Sequence, residues 1–305
     1  MGNKYGIYGA EINRMKAMLW ISGGAAAVTL LLRMVFALTA GEGSWITIAF
    51  LAVVLGALAI IVHGLRLPQV ELGGRRATAV SVAMMAAGVC LLLSTFSDVL
   101  RWVVAGIMPP PESSQLGGIT QLAMLLAFVF GMLGGLVLIW LGWRLKIGET
   151  ARQELLSWGM LAPVLWMWFR LTRYEMSYAS ALGLAETFYD FGLFILELLF
   201  LFKLARRVAG IGEVPVGLLL FLSCSTATFA LSGPLFRVGM YLFGNGATYE
   251  TTRLANVPDL AIGVLALVLA VSIVKELSED ASVEESPLAA QSDESSSQEE
   301  EGNLL

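Results

Sequence analysis

The chain has 305 residues, 57% of them hydrophobic and 14% charged, with a mean hydropathy of +0.76. Soluble domains carry about 25% charged residues, so this composition excludes an ordinary soluble domain and places the chain in lipid. The formal net charge of −5 hides a division: ten of the 24 carboxylates lie from Glu276 onward, where no Lys or Arg occurs, and residues 1–275 carry a basic excess.

Apolar runs of membrane-spanning length fall at eight places, roughly 17–38, 45–65, 78–98, 119–142, 155–174, 186–206, 214–234 and 257–275. About 20 helical residues cross a hydrocarbon core of about 30 Å. The predicted fold is therefore all-α: a polytopic helical membrane bundle of about eight transmembrane helices. The first run reads as a span and not as a cleaved leader, because it is long, contains Arg33 and is followed by no small-x-small site. Three segments result: a cytoplasmic N-terminal segment 1–16, a bundle 17–275 and an acidic tail 276–305. The tail has many Ser and acidic residues and no apolar face, which predicts disorder on the cytoplasmic side.

Basic residues set the orientation. With the N-terminus inside, the inner segments hold every Lys and Arg14, Arg66, Arg75, Arg76, Arg144, Arg152, Arg206 and Arg207. The outer ends and loops hold Arg33, Arg101, Arg170, Arg173, Arg237 and Arg253. The positive-inside rule then puts both termini in the cytoplasm of a plasma membrane, read as a bacterial inner membrane.

The outer arginines recur with a period. Arg33, Arg101, Arg170 and Arg237 are separated by 68, 69 and 67 residues, in LLLRMVF, SDVLRWVV, MWFRLTR and GPLFRVG. On the return helices Gln121, Asp190 and Asp259 are each 69 apart. Four tandem helical hairpins in one orientation account for this pattern, and parallel repeats of this kind occur in transporters. The alternative is even loop lengths with arginines that snorkel to the interface.

The sixth span carries Glu186, Asp190 and Glu197 at i, i+4 and i+11, one stripe about 40° wide on a helix. In the fifth, Trp166, Arg170, Arg173 and Ser177 form a basic, aromatic stripe. A short outer loop joins the two helices, so the expected arrangement is an acidic stripe facing a basic one. Glu197 lies in the apolar run FGLFILELLFLFK. A charge at mid-membrane costs about 2.5–3.5 kcal/mol on insertion scales. Glu197 must face the bundle interior and either pair with a cation, carry a proton or hydrogen-bond a neighbouring helix. In the seventh span Ser223, Ser225, Thr226, Thr228 and Ser232 precede Gly233-Pro234, which predicts a kink or break beside a polar cavity and leads to Arg237. Pro163 predicts a kink in the fifth span. Small residues at spacing four (Ala52/Gly56, Ala83/Ala87, Gly131/Gly135) predict close helix contacts.

Catalytic and cofactor signatures are missing from the sequence: it contains no HExxH, GxSxG, Walker loop or CxxC. Cys90 and Cys224 read as small hydrophobes, and His63 without acidic or thiol neighbours makes a poor metal site. No catalytic residue, cofactor, metal or nucleic-acid surface is expected. The sequence favours a secondary transporter or permease subunit. Its outward vestibule would involve Glu197, Asp190, Glu186, Arg170, Arg173 and Arg237, with a small molecule or ion as substrate and the lipid bilayer as solvent. The alternative is a non-catalytic accessory, sensor or scaffold bound to a membrane partner subunit.

Overall fold

The computed structural model describes residues 3–38, 44–65, 77–104, 116–147, 158–176, 184–210, 214–242 and 257–302. These contain eight helices and no strand: α1 (Asn3–Leu38), α2 (Ser44–His63), α3 (Ala77–Val104), α4 (Leu116–Ile147), α5 (Leu161–Met176), α6 (Leu184–Ala209), α7 (Val216–Leu242) and α8 (Val257–Gly302). Each coincides with one of the eight apolar runs. Lipid offers backbone groups no hydrogen-bonding partner, so a spanning segment satisfies its own N–H and C=O groups as a helix.

Six helices are long and apolar enough to cross a membrane: α1, α2, α3, α4, α7 and α8. The other two carry the polar load. α5 has only 16 residues, and α6 holds Glu186, Asp190, Glu197, Lys203, Arg206 and Arg207. Side chains are distributed inside out. Trp20 is 82% exposed and Val53 71%, along with Leu31, Ile46, Ile60, Leu93 and Trp158, whereas Glu197 and Asp259 are fully buried. An apolar exterior around a polar core is what a lipid solvent selects. The chain is an all-helical multi-pass membrane bundle.

α7 is the central element, buried at nearly every position from Leu222 to Pro234. It packs against α8, α1, α6 and α2. α3, α4 and α5 pack together, and α3 closes the bundle against α8. Glycine sets the α3–α4 distance. A Cβ at Gly88 would lie 2.6 Å from the Gly135 carbonyl oxygen, and one at Gly142 would lie 2.7 Å from that of Ser81. Ser81 Oγ donates to the Gly142 carbonyl across this contact. Gly131, Gly135, Ala83 and Ala87 lie in buried contacts as their spacing predicts. Ala52 and Gly56 do not: both are exposed and nothing lies within 4 Å of a Cβ at Gly56. α2 is peripheral and turns this pair away from its neighbours.

Several ends follow local rules. Pro258 and Asp259 occupy the first turn of α8, where a missing N–H costs nothing and a carboxylate is favoured by the helix dipole. Glu186 has the same place on α6. Gly210, at φ 64°, ends α6 in the left-handed conformation that terminates helices. Helical residues Trp158 and Gly159 are separated from α5 by a turn at Met160, just before Pro163. Pro163 thus sits in the first turn of α5, where its missing donor is tolerated.

Two further expectations differ from the structure. The Gly233-Pro234 pair does not break α7, which continues through it to Leu242. Hydroxyls bond the helix backbone in the turns before the proline: Tyr189 Oη donates to the Phe229 carbonyl at 2.6 Å and Ser232 Oγ to that of Thr228 at 2.7 Å. The acidic segment, expected to be disordered, continues α8 to Gly302. Once a helix is nucleated, further residues other than Pro287, which lacks an N–H, add hydrogen bonds without a new nucleation cost.

Candidate functional site: a buried arginine–carboxylate network

The C-terminal ends of the odd-numbered helices meet the N-terminal ends of the even-numbered ones at one face of the bundle. Arg33, Arg170 and Arg237 lie within two turns of the ends of α1, α5 and α7. Glu186, Asp190 and Asp259 lie within two turns of the starts of α6 and α8. Opposite charges are thereby brought together at the same depth.

The first group joins α1, α6 and α7. Arg33 donates to Glu186 Oε2, and Arg237 Nη2 lies 3.7 Å from that same oxygen. Arg237 Nη2 donates to Asp190 Oδ1. The Arg33 guanidinium is flanked by aromatic rings, 4.1 Å from the Tyr189 centroid and 4.8 Å from that of Phe236. Aromatic faces stabilise a desolvated cation at such distances. Tyr189 is fixed in turn by its bond to the Phe229 carbonyl and by contact with Ser232 Oγ at 2.7 Å. It packs over Gly233, where a Cβ would stand 2.5 Å from its ring.

The second group joins α5, α6 and α8. Arg170 binds Asp259 in bidentate fashion, Nη1 to Oδ1 and Nη2 to Oδ2, the latter at 2.8 Å. The Phe194 ring is 4.5 Å and the Trp166 ring 5.3 Å from this guanidinium. Asp98 on α3 also acts on Arg170 electrostatically. Glu197 sits beside this pair. Asp259, Arg170 and Asp190 act on it electrostatically, Asp259 most strongly. Both Glu197 oxygens are buried without a hydrogen-bond partner.

A hydroxyl track runs from this network along α1 and α7. Ser22 Oγ donates to the Cys224 carbonyl and contacts Thr228 Oγ1, both at 2.8 Å. Thr228 Oγ1 bonds its own Cys224 carbonyl and Thr226 Oγ1 reaches the Leu196 carbonyl on α6 at 3.2 Å. The Thr29, Ser223 and Ser225 hydroxyls and Arg33 Nε are buried without a partner.

The structure brings together Glu186, Asp190, Glu197, Arg170 and Arg237, but pairs them differently from the sequence expectation. The ion pair of Arg170 is not made with Glu186 or Asp190 at the start of α6. Arg170 crosses to Asp259, while Glu186 and Asp190 take Arg33 and Arg237. Across helices, Glu186 and Asp190 reach arginines of α1 and α7, and Arg170 reaches the acid at the start of α8. The Arg173 side chain and Ser177 lie outside the described residues, as does the Arg101 side chain. Arg33 and Asp259 were not among the expected site residues. Their signal was the 67–69-residue register, since both belong to the periodic sets. Arg33 is 5% exposed and paired, not an interfacial snorkeller. Cys224 is a buried free thiol, Cys90 is half-buried and His63 is exposed.

Among the described residues no group of three or more His, Cys, Asp or Glu is arranged to hold a metal ion. Comparison with protein-family models, with curated proteins and with solved structures returns no match.

Proposed function

We propose that this chain is a secondary transporter or permease subunit whose outward-facing polar region is the arginine–carboxylate network and whose coupling group is Glu197. One observation carries the reading: Glu197 is a fully buried carboxyl in the middle of α6, with no hydrogen-bond donor. Folding alone does not require such a group, and a carboxyl of this kind inside a bundle is a candidate for an ion pathway. The fourfold register of the arginines adds support, because sites in parallel-repeat transporters lie at interfaces between repeats. The reading assigns binding and conformational work to these residues and no catalytic step.

The same reading puts both termini in the cytoplasm of a bacterial inner membrane. Eight crossings return the chain to its starting side, and every Lys falls on that side. Reporter fusions at each end measure this directly; an external C-terminus removes the eight-crossing topology.

A second reading has its own observation. Glu186, Asp190 and Asp259 are each matched to an arginine on another helix, and such contacts latch a bundle together. A non-catalytic scaffold or accessory subunit with a membrane partner is consistent with that. Proteoliposomes with a trapped pH dye separate the two. Amino acids, sugars, carboxylic acids and amines are added outside, class by class. Transport gives a solute-dependent pH change in the wild type that Glu197→Gln abolishes. No response to any class, with a fixed partner protein in the purified material, sinks transport in favour of the scaffold.

A further inference from the structure

We propose that Glu197 and Asp259 form a proton site: one proton is held between the two carboxyls in the bundle core, and its departure weakens the Arg170–Asp259 contact. This deepens the transport reading by naming the coupling ion. It rests on that reading only for its use, and the proton is detected without any transported solute.

The pairing pattern carries the argument. Among the described residues the paired network and Glu197 comprise three guanidiniums and four carboxyls, with Asp98 acting on Arg170 from α3. Arg33 serves Glu186, Arg237 serves Asp190 and Arg170 serves Asp259. Glu197 is the carboxyl left over: it is fully buried like Asp259, neither of its oxygens has a hydrogen-bond partner, and Asp259 is the charged group that acts on it most strongly. A bare carboxylate beside a second one in a buried site is strongly disfavoured, and neighbouring buried carboxyls commonly share a proton. One proton turns the contact into an O–H donor with a carboxylate acceptor. It also brings the four carboxyls and three guanidiniums to neutrality.

Among the described residues the surrounding elements present the following charges. α5 presents Arg170, α8 presents Asp259 and α6 itself presents Asp190. Arg237 of α7 is engaged by Asp190 and Glu186, and Arg33 of α1 by Glu186. Asp98 of α3 is half-buried and acts on Arg170. α2 contributes only His63, exposed at its far end. A metal cation fits poorly. Both Asp259 oxygens are held by Arg170, whose positive charge adjoins the site, whereas hard cations ask for about six oxygen ligands.

When the proton passes from the Glu197 carboxyl to water, the site gains one negative charge. Glu197 then competes with Asp259 for Arg170. Proton release is thereby linked to the contact that ties α5 to α8, a bistable element of the kind alternating access requires.

Infrared spectroscopy of the protein in lipid nanodiscs at neutral pH tests this. The wild type is expected to show a protonated-carboxyl C=O band that is lost in Glu197→Gln and displaced by 13C-carboxyl glutamate labelling. Asp259→Asn is expected to lose the band as well, although Glu197 is intact, because Arg170 then turns to Glu197. A wild type without the band, a band that survives Glu197→Gln, or one that glutamate labelling does not move overturns the proposal. Persistence of the band in Asp259→Asn overturns the sharing. Exchange of sodium for choline is expected to leave the melting temperature unchanged. A sodium-dependent rise that Glu197→Gln abolishes assigns the site to a metal cation instead. If Glu197→Gln does not fold, the labelling and Asp259→Asn measurements decide alone. The dye experiment can fail while the band is present, so the two readings fail separately.

Discussion

Arg170 on α5 grips Asp259 on α8 with both terminal nitrogens, although the acids of α6 follow it in the chain across a short loop. Asp259 has no exposed surface. Losing either partner therefore strands a charge that neither lipid nor water can solvate. Arg170→Met is expected to destabilise the bundle by about 3–5 kcal/mol. Arg170→Met with Asp259→Leu should regain most of that loss. Unfolding by detergent titration measures both; a double variant no more stable than the single one would show that the pair is not the source of the effect.

Arg237 and Asp190 should be energetically coupled, and Arg170 and Asp190 should not. A double-mutant cycle on the contact between α7 and α6 is expected to give about 1–3 kcal/mol of interaction energy. The cycle on Arg170 and Asp190 should be additive within about 0.5 kcal/mol. The reverse result would restore the ladder of facing stripes on α5 and α6 that chain adjacency suggests.

Glu197→Gln should leave stability within about 1 kcal/mol of the wild type or raise it, because a neutral amide replaces a carboxyl that has no donor. Melting of the purified protein near neutral pH reads this out. A marked loss would mean that Glu197 is ionised and paired, and would move the scaffold reading ahead of transport.

The contact between α3 and α4 depends on the absence of side chains. Gly88→Ala puts a methyl group 2.6 Å from the Gly135 carbonyl oxygen, and both atoms belong to rigid helices. The expected cost is about 1–3 kcal/mol. Gly56→Ala is the control. Its Cβ meets nothing within 4 Å, and alanine favours helix by up to about 1 kcal/mol, so the variant should be neutral or slightly more stable. Equal effects at the two sites in thermal melts would contradict the packing.

Tyr189→Phe removes a hydroxyl that donates to the Phe229 carbonyl beside Pro234. A loss of about 1 kcal/mol is expected, with the ring contact to Arg33 retained. Hydrogen exchange around residues 229–234 should rise in this variant, and an unchanged pattern would leave the Tyr189 hydroxyl without a role in holding α7 together.

The sequence by itself determined the solvent, the helix count and the interior position of Glu197. Each of these depends only on local quantities. A run of apolar residues has one stable form in lipid, and a carboxyl in the middle of such a run has one tolerable direction. The periodic placement of Arg33, Arg170 and Arg237 at helix ends was equally legible, because spacing along the chain is a one-dimensional property. Partner choice was not. Which acid each arginine holds depends on which helices lie side by side, and that is set by van der Waals packing of small residues such as Gly88, Gly135 and Gly263. Tertiary structure therefore sent Arg170 to Asp259, gave Glu186 and Asp190 to Arg33 and Arg237, turned Gly56 to the outside and kept α7 intact through Pro234. It also left Glu197 as the fourth carboxyl among three arginines, a surplus that only the three-dimensional pairing reveals.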